Sequence, residues 1–319
     1  MMSSTEEVTE VEEVCASCGI TAGDDIKLKK CACDLVKYCG VECQRNHRPQ
    51  HKKGCKKRIA AMRDDRLFTQ PDESHHGECP ICCLPLPLDG EKRIINTCCC
   101  KRICIGCDYA NKKREWEQGL EQRCPYCREV LPYTDEEIHQ NLIERAKAND
   151  PNALYEMGEN CRNEGDYEGA VEHYTKAAKF GNMMAHHSLS YMYHDGQGVE
   201  KDMKKAVYHW EEAAIGGHAR ARYNLGYYEG GNGRFDRATK HFMIAAKQGH
   251  DGALKEVERN FRWGFVSKEE YTTALRGHQA VVDATKSQQR DAADEIDAYM
   301  VYQKMYEYHG THCTLILPM

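Results

Sequence analysis

The sequence predicts a multidomain chain in which two small metal-dependent modules precede an all-α solenoid of helical hairpins. Three observations lead there. The cysteines, 19 in 319 residues, crowd into the first 130 positions, with only Cys161 and Cys313 beyond them. Within that stretch they form two groups, each offering eight ligands of the type zinc prefers. After Pro132 an alanine-rich helical pattern recurs every 32 or 36 residues, a period that signals stacked repeats.

The length allows two or three domains and at least one sizeable core. A net charge of −6 gives no chain-wide attraction to nucleic acid, but its distribution is uneven. Residues 1–14 hold five glutamates and no lysine or arginine, whereas residues 27–66 hold thirteen basic side chains against four acidic ones. The first stretch, MMSSTEEVTEVEEV, has no apolar period and reads as a disordered acidic tail. It also lacks the basic and apolar regions of a secretory signal. Disulfides need an oxidising compartment, so reduced thiols in the cytosol or nucleus are expected. No apolar run approaches membrane-spanning length.

Residues 15–55 carry Cys15-x2-Cys18, Cys31-x-Cys33, then Cys39 and Cys43 within YCGVECQ, then His51 and Cys55. Two cysteines separated by two residues can place both thiolates on one ion from a tight turn. His51 and Cys55, four residues apart, share a face if the segment is helical. The run Tyr38-Cys39-x3-Cys43-Gln44 followed by His51-x3-Cys55 resembles a MYND zinc finger. The resemblance implies one zinc held by Cys15, Cys18, Cys39 and Cys43 and another by Cys31, Cys33, His51 and Cys55. It also implies a protein-interaction role, with short proline-containing peptides as partners. Such zinc is structural, because four protein ligands leave no open position. The family usually has two residues between its third and fourth ligands, and this chain has one, which implies a strained or weaker second site. His47, one turn before His51, is an alternative ligand; a packed or solvated side chain is its simpler reading.

Residues 56–77 read as a basic helix and a linker. The run HKKGCKKRIAAMRDDR (51–66) is compatible with nucleic-acid binding or nuclear import. A solvated helix face is the favoured reading, because no aromatic side chains interleave the lysines. TQPDESHHG (69–77) has the composition of a polar linker, which accounts for His75 and His76 without ligation.

Residues 78–132 hold the pairs Cys79/Cys82, Cys104/Cys107 and Cys124/Cys127, and the triplet Cys98, Cys99, Cys100 must supply a fourth pair. No histidine lies between Cys79 and Cys127. The pattern resembles an all-cysteine RING finger. That implies a cross-braced module, in which pairs one and three share one zinc and pairs two and four the other. Relatives read Cys-Cys-Gly-Lys where this chain reads Cys-Cys-Cys-Lys, so Cys98 and Cys99 are the preferred ligands and Cys100 the alternative to Cys99. Cys83 has no ligand role in the pattern.

RING fingers of ubiquitin ligases carry an apolar residue between the first two cysteines, a proline after the seventh ligand and an arginine after the eighth. Here these are Ile81, Pro125 and Arg128. The resemblance implies that Ile81 and Pro125 help to dock a ubiquitin-conjugating enzyme, and that Arg128 hydrogen-bonds both that enzyme and its ubiquitin. Catalysis would then be positioning of a thioester, with no covalent intermediate on this chain. LPLPLDGEKR (84–93) reads as a loop and short hairpin, and 108–122 as a helix. Trp116 on that helix either faces the enzyme or packs on the finger.

Residues 133–290 read as the solenoid. Ala153, Ala185, Ala221 and Ala253 each precede an apolar residue by four positions: Met157, Leu189, Leu225 and Val257. Ala170, Ala206 and Ala238 echo one another, as do Ala177-Ala178, Ala213-Ala214 and Ala245-Ala246. Each unit reads as a helical hairpin with a small residue (Gly158, Ser190, Gly226) where its helices meet. The second unit resembles a Sel1 repeat, and the shorter ones drift towards tetratricopeptide length. Residues 253–290 form a degenerate closing unit with a predicted capping box at Ser267 and Glu270. The histidines of the array lack metal spacing and read as packing or surface residues. Residues 291–319 form a C-terminal tail with a helix expected through Tyr299, Met300 and Met305.

The combination resembles a group of MYND–RING–Sel1 proteins. It implies four zinc ions, two per finger, protein partners at the MYND finger and solenoid, and no membrane association. Two functions follow from it. One is a RING-type E3 ubiquitin ligase whose flanking modules select substrates; the alternative is a non-enzymatic zinc-dependent adaptor. Nucleic acid is a disfavoured partner.

Overall fold

The structure is a computed structural model that describes residues 14–22 and 26–295. The chain divides into two compact units with the boundary between Thr69 and Gln70. The cysteines of the described residues are free thiols. No described helix is long and apolar enough to cross a membrane.

The first unit contains a two-residue antiparallel ribbon, β1 (Lys29–Lys30) and β2 (Lys37–Tyr38), followed by the long helix α1 (Val41–Phe68). Its small core is made of ligand-type residues, Cys15, Cys31 and Cys33, around the buried ring of Tyr38. A core this poor in carbon cannot hold a fold alone. The predicted helix at 51–66 is thus the second half of a longer one that starts at the Cys43 side of the finger. Pro49 lies inside it and removes one backbone donor.

In the second unit a hairpin, β3 (Arg93–Asn96) and β4 (Lys101–Cys104), flanks the cysteine triplet and runs into α2 (Ile105–Glu117). The hairpin therefore brackets Cys98–Cys100 rather than preceding them. A single 3-10 turn at Gly90–Lys92 is what the LPLPLDGEKR segment contributes ahead of it.

The solenoid follows as α3 (Asp135–Lys147), α4 (Pro151–Asn163), α5 (Tyr167–Lys179), α6 (Met183–Asp195), α7 (Met203–Ile215), α8 (Ala219–Gly231), α9 (Phe235–Lys247), α10 (Asp251–Arg262) and α11 (Lys268–Ala284). The alanine series marks one structural position. Ala153, Ala185, Ala221 and Ala253 each donate a backbone N–H to the N-cap side chain three residues earlier: Asp150, Asn182, His218 and His250. Where the hairpin helices meet, Gly158 lies against the ring of Tyr174 and Gly226 against that of Phe242. The predicted capping box at Ser267 and Glu270 is present.

The last helix among the described residues, α12 (Gln288–Glu295), crosses the boundary expected at residue 290 and packs on α2. The helix expected through Tyr299, Met300 and Met305 lies outside the described residues.

The second cysteine module is bound to the array along its length. At one end, Arg102 donates to Asn152 Oδ1 (2.7 Å), Arg145 to the carbonyl of Cys99 (2.6 Å) and Asn152 to that of Cys100 (3.1 Å). At the other, Lys92 pairs with Asp294 at 2.7 Å. Between them, residues 73–76 pass over Gly217, which has φ +87° and leaves no room for a side chain: a Cβ there would lie 3.1 Å from the His75 nitrogen. This corrects the reading of His75 and His76 as part of a polar linker. The His75 ring stacks on His218, which stacks in turn on His187, and the His76 ring lies tilted against His75, with centroids 4.0 Å (His75–His218), 4.2 Å (His187–His218) and 3.7 Å (His75–His76) apart. A neutral imidazole is a flat, largely apolar ring, and composition alone does not reveal that it will be buried as one.

Candidate metal centres

Five of the turns that present the cysteines share one local device. The residue after the second cysteine adopts a left-handed conformation and its N–H returns to a carbonyl at the start of the turn. Gly19 (φ +73°) donates to Cys15, Asp34 (φ +57°) to Cys31, Cys83 (φ +57°) to Cys79, Cys100 (φ +51°) to Asn96 and Arg128 (φ +65°) to Cys124. The position of Cys100 is thus one that favours glycine.

Four groups of ligand atoms result, each with its members within 4.8 Å of one another: Cys15, Cys18, Cys39, Cys43; Cys31, Cys33, His51, Cys55; Cys79, Cys82, Cys104, Cys107; and Cys98, Cys99, Cys124, Cys127. The pairs interleave in each module. Cys18 lies 3.6 Å from Cys39, and Cys31 lies 3.6 Å from Cys55. In the second module Cys82 lies 3.8 Å from Cys104, Cys99 lies 3.8 Å from Cys124 and Cys98 lies 3.4 Å from Cys127. Cys100 turns away. Its thiol faces the Thr97 carbonyl and it packs with Leu142 and Ala153 of the array. Cys83 is exposed.

The single residue between Cys31 and Cys33 still lets both reach one point, with Cys33 Sγ 3.1 Å from His51 Nε2. His47 is not in that group. Its Nδ1 is hydrogen-bonded to the Tyr38 hydroxyl at 3.0 Å, and its ring stacks on His51.

The donor chemistry fits zinc. Three groups are all sulfur and one is three sulfurs and an imidazole, the soft tetrahedral sets of structural zinc. Their protonation also calls for a cation. Cys79 is lowered to about 4, chiefly because the Cys104 thiol hydrogen-bonds its sulfur, yet the same contact pushes Cys104 up. Burial pushes Cys107 and Cys99 to about 12. The group of Cys79 and Cys104 thus favours one thiolate and resists more, and a divalent ion would supply the charge that allows all four.

The other candidate residues surround this module. Ile81 is 41% exposed and Trp116, on the last turn of α2, is 53% exposed, so about half of the Trp116 side chain is open to solvent. Pro125 is buried, which makes it a support of its knuckle that offers little surface to a partner. Arg128 is exposed, its guanidinium 3.4 Å from Asn111 Oδ1 on α2. It lines a shallow groove of about 410 Å3 together with Leu120 and Arg123. Asn111 also donates to the Arg123 carbonyl at 2.9 Å, a role that nothing in its sequence spacing marks.

Comparison with known proteins fits this arrangement. The MYND finger model matches residues 15–55, and the Sel1 repeat model matches residues 151–182, 184–218 and 219–250. No curated protein sequence matches the chain. Among solved structures, a Sel1 repeat protein from Oxalobacter formigenes is 29% identical over 48% of this chain and 66% of its own, with a TM-score of 0.41. The protective antigen c5321 of uropathogenic Escherichia coli, which displays an SLR fold, is 27% identical over 46% of this chain and 33% of its own, with a TM-score of 0.39. The chain thus spans less than two thirds of the length of either protein. MYND fingers and Sel1 repeats are protein-interaction modules, so the chain combines a zinc-binding finger region with a helical repeat array suited to holding protein partners.

Proposed function

We propose that the protein is a zinc-dependent E3 ubiquitin ligase whose second cysteine module acts as a RING finger. The observation that carries this reading is the interleaving of pairs one with three and two with four, with Ile81, Trp116 and Arg128 left exposed around the braced module. Ile81 and Trp116 supply apolar surface for a ubiquitin-conjugating enzyme, and Arg128 supplies the hydrogen-bond donors that hold the enzyme's ubiquitin. No nucleophile of this chain takes part. The module instead fixes a bound thioester conjugate in a reactive pose, and its attachment along the array holds that pose at a set distance from a substrate on the repeats.

Autoubiquitination with a panel of conjugating enzymes tests this. The parent should be active with at least one, and Ile81→Ala and Arg128→Ala should each lower the rate about tenfold or more while all four zinc ions are retained. Inactivity of the folded, zinc-loaded parent with every enzyme would leave the adaptor function. Activity indifferent to both substitutions would remove these residues from the docking surface.

A further inference from the structure

We propose that Arg290, on the last helix of the solenoid, is a positioning residue for the metal held by Cys79, Cys82, Cys104 and Cys107, so that this site is completed by the far end of the array. Four thiolates around a divalent ion leave two net negative charges. Cys79 and Cys104 are fully buried, where such charge is costly unless a donor or countercharge faces it.

Arg290 is 5% exposed, and its hydrogen-bond partners are the carbonyls of Leu84 (3.3 Å), Pro85 (2.8 Å) and Thr285 (2.6 Å) together with Cys82 Sγ (3.5 Å). Among the described residues no carboxylate is a partner. A buried guanidinium without a carboxylate needs another anion, and the sulfur at its edge belongs to one. The three carbonyls hold the fork in orientation, and Nη2, which donates to Leu84, also points at the ligand atom Cys82 Sγ.

Gln289 stands beside it, with its side-chain oxygen 3.9 Å from Cys107 Sγ. With the amide turned over, its NH2 would face that thiolate, a choice that the metal's presence would decide. Gly106, between Cys104 and Cys107, lets this helix come so near: a Cβ there would lie 2.8 Å from the Arg290 nitrogen. The site thus receives outer donors from residues about two hundred positions away in sequence, across a close backbone contact.

The test follows zinc release from the full chain to excess chelator, comparing the parent with Arg290→Gln, Arg290→Lys and Asp294→Ala. One zinc equivalent should leave about 10- to 100-fold faster in Arg290→Gln, as loss of an outer hydrogen bond to a ligand typically produces, and the rest at parental rates. Arg290→Lys keeps the charge but not the fork and should fall between. Asp294→Ala loosens the same helix through its exposed ion pair with Lys92 and touches no sulfur. Equal acceleration there would mean that docking alone matters and would overturn the assignment. In the cobalt-substituted protein, the thiolate-to-metal charge-transfer band should shift in Arg290→Gln and not in Asp294→Ala; an unshifted band with parental release overturns it as well. If Arg290→Gln does not fold, Arg290→Lys decides, and the absence of any faster equivalent in it counts against the proposal.

Discussion

A Cβ added to Gly106 would lie 2.8 Å from the backbone nitrogen of Arg290, so the metal-bearing helix α2 and the terminal helix α12 meet backbone to side-chain position with no space between them. Neither backbone can move by rotating a side chain. Gly106→Ala should therefore push α12 away, at a cost of about 1–3 kcal/mol, typical of overpacking a closed interface. The check is the denaturant midpoint of the variant together with amide exchange across Gln288–Glu295. Unchanged protection of that helix would mean that the contact relaxes at no cost.

The cysteine triplet separates into one outward and two inward thiols. Cys99→Ser should lower bound zinc from four ions to three, whereas Cys100→Gly should leave the count at four. Cys83→Gly isolates the backbone contribution, because Cys83 is exposed and held at φ +57°. A non-glycine residue there costs roughly 1–2 kcal/mol. Glycine's greater freedom in the unfolded chain offsets part of the gain, so a net stabilisation of about 0.5–1 kcal/mol is expected. Elemental analysis and denaturation of the three variants decide both points.

Ligand spacing and helical period made the finger region and the repeat array legible, because both are local: a knuckle is set within five residues, and an N-cap within four. His218 and His250 show where locality fails. They hold the cap position that Asp150 and Asn182 hold in the other units, a role that the repeat register contains but that histidine does not announce. Arg290, Gly106 and His75 owe their surroundings to segments more than a hundred residues away. No window of sequence contains such a contact, and His75 in particular lies in a stretch whose polar composition argues for exposure.

The four-histidine stack should make the second unit acid-sensitive. Burial holds His75 and His187 down at about 3 and also lowers His76 and His218 well below the ordinary value. Arg93 and Arg102 act on His75 and His76, and Arg220 on His187, which adds repulsion to any proton taken up. With folded-state values below the ordinary 6.5, the neutral rings favour the fold. Their contribution is complete above pH 6.5 and is lost as the pH falls from there towards 3. Each ring loses about 1.4 kcal/mol per pH unit in that window. Thiolate protonation would act in the same direction, so the informative quantity is the difference between variants. His218→Asn keeps an N-cap, and His187→Phe keeps a ring. Both should flatten the fall in denaturant midpoint between pH 7.5 and 5, and parental slopes in both would place the acid sensitivity elsewhere.

Zinc removal should divide the molecule. The first unit's core is Cys15, Cys31, Cys33 and Tyr38, so without metal it retains almost nothing to bury. The array is different: Leu154, Tyr174, Leu189 and Met192 form one core, and Phe242, Ala245 and Val257 lie in another, with no ligand cysteine in either. The larger of these side chains contribute on the order of 2 kcal/mol each through burial, independent of any ion. A strong chelator should therefore leave most of the helical circular dichroism while residues 15–55 become open to protease. α12 should also gain amide exchange, because its buried arginine would face neutral thiols in place of a charged site. A cooperative loss of all helical signal on chelation would instead mean that the array depends on the second cysteine module bound to it.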